Sequence, residues 1–181
     1  MPRYVAFFGS INVGGNRLKM ADLRAAFEAE GFENVETVVA SGNVLFDFAE
    51  RPTPGLEEML GFMMGNKFAM RSVVAVRDRD EVAAAIADNP FAAAGDDKQV
   101  HTLFLDGQST SEQFDRLVAD HAGRGRERLA PGDRAIYIDF VDGVADSKLI
   151  GPFLEKRLGQ RGTARNMRSL ARIVAKMDEG T

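Results

Sequence analysis

A chain of 181 residues with 45% apolar content and a formal net charge of −4 suits one compact unit or two small ones, and disorder is excluded as its default state. It contains no cysteine, which excludes disulfides, thiolate metal sites, zinc fingers and a cysteine nucleophile. The longest apolar runs, such as Val73 to Val76, fall far short of the roughly 20 residues of a membrane span. The N-terminus also lacks a small-residue cleavage site, so a cytoplasmic protein with no membrane partner is expected.

Tyr4 to Phe8 is a short apolar run closed by Gly9 and Ser10, the pattern of a buried strand. Ile11 to Lys19 then forms a polar loop around Gly14 and Gly15, read as a strand-to-helix turn that presents free N–H groups to an anion. Met20, Leu23 and Phe27 share a helix face, Asp22 sits in the first turn, and Gly31 is placed as the residue just past the helix end. Strands are predicted over 35–40 and 44–48 around a tight turn at Ser41-Gly42-Asn43. Thr53 and Pro54 read as N-cap and first position of a second helix through Leu56, Leu60, Met63 and Met64, and a strand follows from Arg71 to Val76. The order βαββαβ is that of a ferredoxin-like sandwich.

Asp78 and Glu81 predict the capped start of a connecting helix that Asn89-Pro90 stops, and Ala92 to Lys98 reads as a flexible linker. A strand from Val100 to Asp106 leads to a helix opened by Thr110 and Gln113, a capping-box pair. Strands flank a turn at Pro131-Gly132-Asp133, and a helix from about Ser147 to Leu158 and an extended piece near Gly162 to Ala164 complete a second βαββα(β). The expected fold is therefore α+β, two ferredoxin-like βαββαβ-type subdomains in structural duplication plus a C-terminal helix, Met167 to Met177. The subdomain boundaries are set at 1–77, a connecting 78–98, and 99–181.

Chain direction alone brings three loops of the first half, 10–18, 40–43 and about 65–70, to one rim. That gathers Asn12, Gly14, Gly15, Asn16, Arg17, Ser41, Asn43 and Asn66, a set suited to a small anionic or phosphate-containing ligand. Turn geometry alone also favours Asn and Ser at such positions. Gly9 and Gly14 have Walker-type spacing, but Gly15-Asn16 stand where Lys and Ser/Thr are required, and the three-glycine dinucleotide pattern fails as well. No cofactor is assigned. His101 and His121 are the two histidines, too few for a metal centre and read as core or capping groups.

Two further readings stand beside this one. From Glu155 to the C-terminus seven basic residues meet three acidic ones, leaving 16 basic and 24 acidic in the rest of the chain. Arg165, Arg168, Arg172 and Lys176 are spaced as one helical stripe, so nucleic acid is an alternative partner, although no aromatic residue interleaves them. Ser147-Lys148 has the composition of a serine–lysine dyad for a hydrolase or transferase, against which helix capping is the plainer role. Whether the chain is an enzyme and what its oligomeric state is are left open.

The successive motifs Tyr4-Val5-Ala6-Phe7-Phe8, Ile11-Asn12-Val13-Gly14-Gly15-Asn16, Lys19-Met20-Ala21-Asp22-Leu23, Gly31-Phe32, Ser41-Gly42-Asn43-Val44, Asn89-Pro90-Phe91, Ser147-Lys148-Leu149 and Arg165-Asn166 resemble those of the domain of unknown function 1697 family over essentially the whole chain. The resemblance implies a bacterial protein of two ferredoxin-like subdomains and no established activity; Lys148, Arg165 and Asn166 join the candidate ligand set beside the rim. The family pattern has Arg-Gly where this chain has Gly9-Ser10, so an anion role there is lost or passes to Arg17. It also has a tryptophan where this chain has Met167.

Overall fold

The computed structural model describes residues 1–9 and 18–179, with Ser41 described by its backbone alone. It divides into two units, 1–83 with 172–181, and 84–171. The first contains β1 (Arg3–Phe8), α1 (Met20–Ala29), β2 (Glu33–Val38), β3 (Ala40–Asp47), α2 (Thr53–Phe68) and β4 (Val74–Asp78). α3 (Arg79–Ala87) leads to the second: β5 (Val100–Leu105), α4 (Ser111–His121), β6 (Arg128–Gly132), β7 (Ala135–Asp139), α5 (Gly151–Leu158) and β8 (Gly162–Asn166). α6 (Met167–Asp178) ends the chain. Among the described residues no helix is long and apolar enough to cross a membrane.

The two sheets repeat one topology, β2-β3-β1-β4 and β6-β7-β5-β8, with every described pairing antiparallel. The duplication extends to register. Asp47 ends β3 and stands opposite Arg3 and Glu33, the first residues of β1 and β2; Asp139 ends β7 and stands opposite Val100 and Arg128, the first residues of β5 and β6.

Alternation along β1 sends Tyr4, Ala6 and Phe8 into a core with Leu23 and Phe27 of α1, Val44 and Phe46 of β3, Leu56, Leu60 and Met64 of α2, and Val74 and Val76 of β4. Val5, Phe7 and Leu45 point to the other face and are buried too, which is why these strands read as continuous apolar runs. The second core packs Leu103 and Leu105, Ile136 and Ile138, Leu117 of α4 and Phe153, Leu154 and Leu158 of α5.

Three local helix-end signals hold. Gly31 follows the α1 cap with φ +90°, Asp78 accepts from the Glu81 N–H at 2.7 Å, and Thr110 and Gln113 make both halves of a capping box at 3.1 and 2.9 Å. Thr110→Ala is expected to cost about 1 kcal/mol, a fall of about 2–4 °C in Tm by circular dichroism, with Thr110→Ser restoring it.

Several boundaries differ from the sequence reading, β4 among them, which runs Val74–Asp78 rather than from Arg71 to Val76. Ser41-Gly42-Asn43 lies inside β3 because Asn43 pairs with Phe7 of β1, and the β2–β3 ladder shifts register between Glu33 and Glu36 and again between Thr37 and Val38, next to Val39 at φ +68°. Thr53 is a helical residue rather than the cap, and its hydroxyl donates to Glu81 at 3.0 Å. β6 runs through Pro131 and Gly132, so the turn falls on Asp133 and Arg134, the latter at φ +47°. α5 begins at Gly151, where Pro152 presets the first turn, four residues beyond Ser147.

Candidate functional site

The register brings the C-terminal end of β1 beside the start of β3 and the start of β4. Phe7 stands opposite both Asn43 and Ala75, Phe8 opposite Val74, and the Gly9 N–H donates to the Val73 carbonyl at 3.0 Å. This is the rim toward which the sequence directs its polar loops. Asn12, Gly14, Gly15, Asn16 and Arg17 lie outside the described residues, and Ser41 is described by its position in β3. Asn43 is 1% exposed, a carboxamide buried at the rim, while Asn66 is exposed in the last turn of α2. Val39, a β-branched residue in left-handed backbone, sits on the adjoining connection, a conformation that costs about 1–2 kcal/mol.

Lys148, Arg165 and Asn166 belong to the second unit. Lys148 is exposed. Arg165 lies on β8 rather than on the last helix; its Nη1 donates to Thr163 Oγ1 at 2.7 Å and to the Ala164 carbonyl at 2.9 Å, and burial pulls its pKa down to about 10. Asn166 caps α6, its Oδ1 accepting from the Ser169 N–H at 2.8 Å. The basic stripe is therefore shorter than its spacing suggests. Arg168 and Arg172 are exposed one turn apart, whereas Lys176 is paired with Glu179 at 2.9 Å.

Ser147 is occupied in a different way from a serine–lysine dyad. Its Oγ donates to Glu127 Oε1 at 2.8 Å and accepts from the Leu149 N–H at 3.1 Å, and the other Glu127 oxygen faces His121 Nε2 at 3.1 Å. His121 and Glu127 are nearly buried. A carboxylate is a much weaker base than an amine, so the contact fixes the hydroxyl rather than activating it. His101 packs edge-on to Phe140, its Nδ1 3.0 Å from the Gln99 carbonyl, and burial pushes its pKa below the usual histidine value. Among the described residues no three His, Asp or Glu side chains gather as a metal site.

The opposite end of each sheet carries a charged cavity that the sequence reading missed. In the first unit a space of about 290 Å³ is lined by Arg3, Asn34, Glu36, Asp47, Lys176 and Glu179. Arg3 donates to Asp47 at 2.8 Å, to Glu36 and to the Asn34 carbonyl at 3.1 Å, Asn34 donates to Asp47 at 2.7 Å, and Lys176 holds Glu179. Three carboxylates meet two cations, and each is engaged. In the second unit a cavity of about 410 Å³ lies at the corresponding place, lined by Gly95, Asp96, Gln99, Arg126, Arg128, Asp139 and Val141 among others. Arg3 lies 44 residues from Asp47 and Arg128 lies 11 from Asp139, so no local pattern announces these pairs.

A search of curated proteins found no match. Among solved structures, the conserved bacterial protein SP0830 from Streptococcus pneumoniae is similar, with a TM-score of 0.71 at 22% identity over 98% of this chain and 99% of that one, a likeness that establishes the fold. The family model described as "Protein of unknown function (DUF1697)" matches residues 1–137, about three-quarters of the sequence, and the chain belongs to that family.

Proposed function

We propose that the protein binds a small anionic, phosphate-containing ligand at the rim of the first unit, through Asn12, Gly14, Gly15, Asn16, Arg17, Ser41 and Asn43. The observation that carries the reading is the register, which sets the ends of β1, β3 and β4 side by side where the glycine-paired segment leaves β1. The start of α1 follows that segment, and its first-turn N–H groups favour negative charge. Strained backbone at Val39 adds weight, since such strain concentrates at ligand clamps.

A thermal-shift screen against inorganic phosphate, nucleotides and sugar phosphates tests it. A ligand at ten times its Kd is expected to raise Tm by about 3–6 °C. Arg17→Ala should abolish the rise. No shift from any of these compounds at millimolar concentration would overturn the reading.

A further inference from the structure

We infer that the cavity of the second unit is a separate binding site for an oxyanion, the phosphate or carboxylate group of a small molecule, held by Arg126, Arg128 and Gln99. The duplication gives the two units matching corners. Asp47 and Asp139 are counterparts at the same corner of matching sheets, and each anchors an arginine. In the first unit the surrounding groups satisfy one another. In the second they leave donors over.

Asp139 is an anchor with both oxygens in use: Oδ1 accepts from the Val141 N–H at 3.0 Å and Oδ2 from Arg128 Nη2 at 2.7 Å. Its side chain is 5% exposed, against 52% for Arg128, so a fixed buried carboxylate holds an accessible guanidinium. The Arg128 guanidinium also lies over the Phe91 ring at 4.8 Å, which sets its plane. Asp96 is turned to its own loop, Oδ1 accepting from the Lys98 N–H at 2.9 Å.

Arg126 reaches Asp142 at 2.8 Å, but both side chains are well exposed, and such a pair is worth little and yields readily to a competing anion. Gln99 has no described side-chain hydrogen bond. Beside the exposed carboxylate of Asp96, the cavity is therefore lined by the N–H groups that these pairs leave over on two guanidinium groups and by a carboxamide, and the chemistry that matches them is an oxyanion accepting more than one N–H.

The loop is shaped for this close approach. A Cβ on Gly95 would stand 2.4 Å from Val100 Cγ2, 2.8 Å from the Phe91 carbonyl and 3.2 Å from Asp139 Oδ2, so only glycine lets residues 94–96 pass against the anchor. The volume, about 410 Å³, lies in the range of small-molecule sites.

The test is an amide NMR titration of the full chain with inorganic phosphate and, separately, with acetate at constant ionic strength. Saturable shifts are expected at Gly95, Gln99, Arg126 and Val141. Arg126→Gln, which removes one exposed side chain and should leave Tm unchanged, is expected to weaken binding about tenfold, and Arg128→Lys, which keeps the charge but loses the fork, by a similar factor. Tighter phosphate assigns a phosphate ligand, and tighter acetate a carboxylate. Arg17→Ala should leave these shifts intact, which separates this site from the rim of the first unit. Absence of saturable shifts at those amides, or shifts that both arginine variants leave unchanged, would overturn the inference.

Discussion

Phe27→Ala is expected to lower the stability of the first unit by about 3–5 kcal/mol. Phe27 is fully buried in α1 at the centre of an aromatic cluster, 5.5 Å from the Phe32 ring, 5.6 Å from Phe46 and 6.1 Å from Phe8, in tilted and edge-on arrangements. Truncation removes the transfer energy of the ring and leaves a void that three separate segments would have to move to fill, and each is pinned, β1 and β3 by their ladder and Phe32 by Phe48 at 4.6 Å. Edge-on ring contacts add about 0.5–1.5 kcal/mol per pair beyond buried area. Urea unfolding should show the midpoint falling with little change of slope. Tyr4 and Tyr137, one in each unit, are the two tyrosines of a chain without tryptophan, so a Tyr137→Phe background leaves Tyr4 as the tyrosine reporter of the first unit, whose transition should move. Phe62→Ala is the control, since that ring is 75% exposed and its loss should change stability by less than about 0.5 kcal/mol.

Features decided within four or five residues were legible in the sequence. The end of α1 at Gly31 is settled by N–H groups that turn back to the carbonyls of Phe27 and Glu28, and the Asp78 cap and the Thr110–Gln113 box by side chains three residues from the N–H they accept. The twofold ferredoxin-like order followed, because period and punctuation fix the element sequence and the crossover rules leave few ways to fold it. Features decided by a distant partner were not legible. Asn43 belongs to a strand because Phe7 pairs with it, 36 positions away, while its local sequence asks for a turn. Arg165 looks helical by spacing, yet residues 162–166 are claimed by the ladder with β5. Ser147 looks like a helix start until Glu127 takes its hydroxyl. The two charged cavities share this cause: Arg3 reaches Asp47 and Arg128 reaches Asp139 across strands, and alone each arginine reads as a solvated edge charge. That the end of β1 lies beside Asn43 of β3 and the start of β4 was legible, since chain direction determines which strand ends coincide.

Glu57→Ala is expected to cost a comparable 3–5 kcal/mol by a different route. Glu57 of α2 and Arg77 of β4 form an ion pair with Nη1 2.6 Å from Oε1, at side-chain exposures of 8% and 3%. The same carboxylate oxygen accepts the Val76 N–H at 3.0 Å, and Arg77 Nη1 also donates to the Val76 carbonyl at 2.8 Å. Alanine at 57 removes the closest counter-charge from a buried guanidinium and a partner from a buried main-chain donor. Glu81, 3.8 Å from Arg77 Nε and one-third exposed, is the more hydrated and more distant counter-charge of the two. The penalty comes from the charge left behind rather than from the strength of the pair, and this makes the mechanism separable from simple loss of packing. A double variant, Glu57→Leu with Arg77→Met, removes both charges while keeping volume and should recover most of the loss in urea unfolding. If the double variant is instead as unstable as the sum of its parts, the pair stabilises the unit through its own hydrogen bonds, and α2 is held to β4 by polar rather than apolar contact.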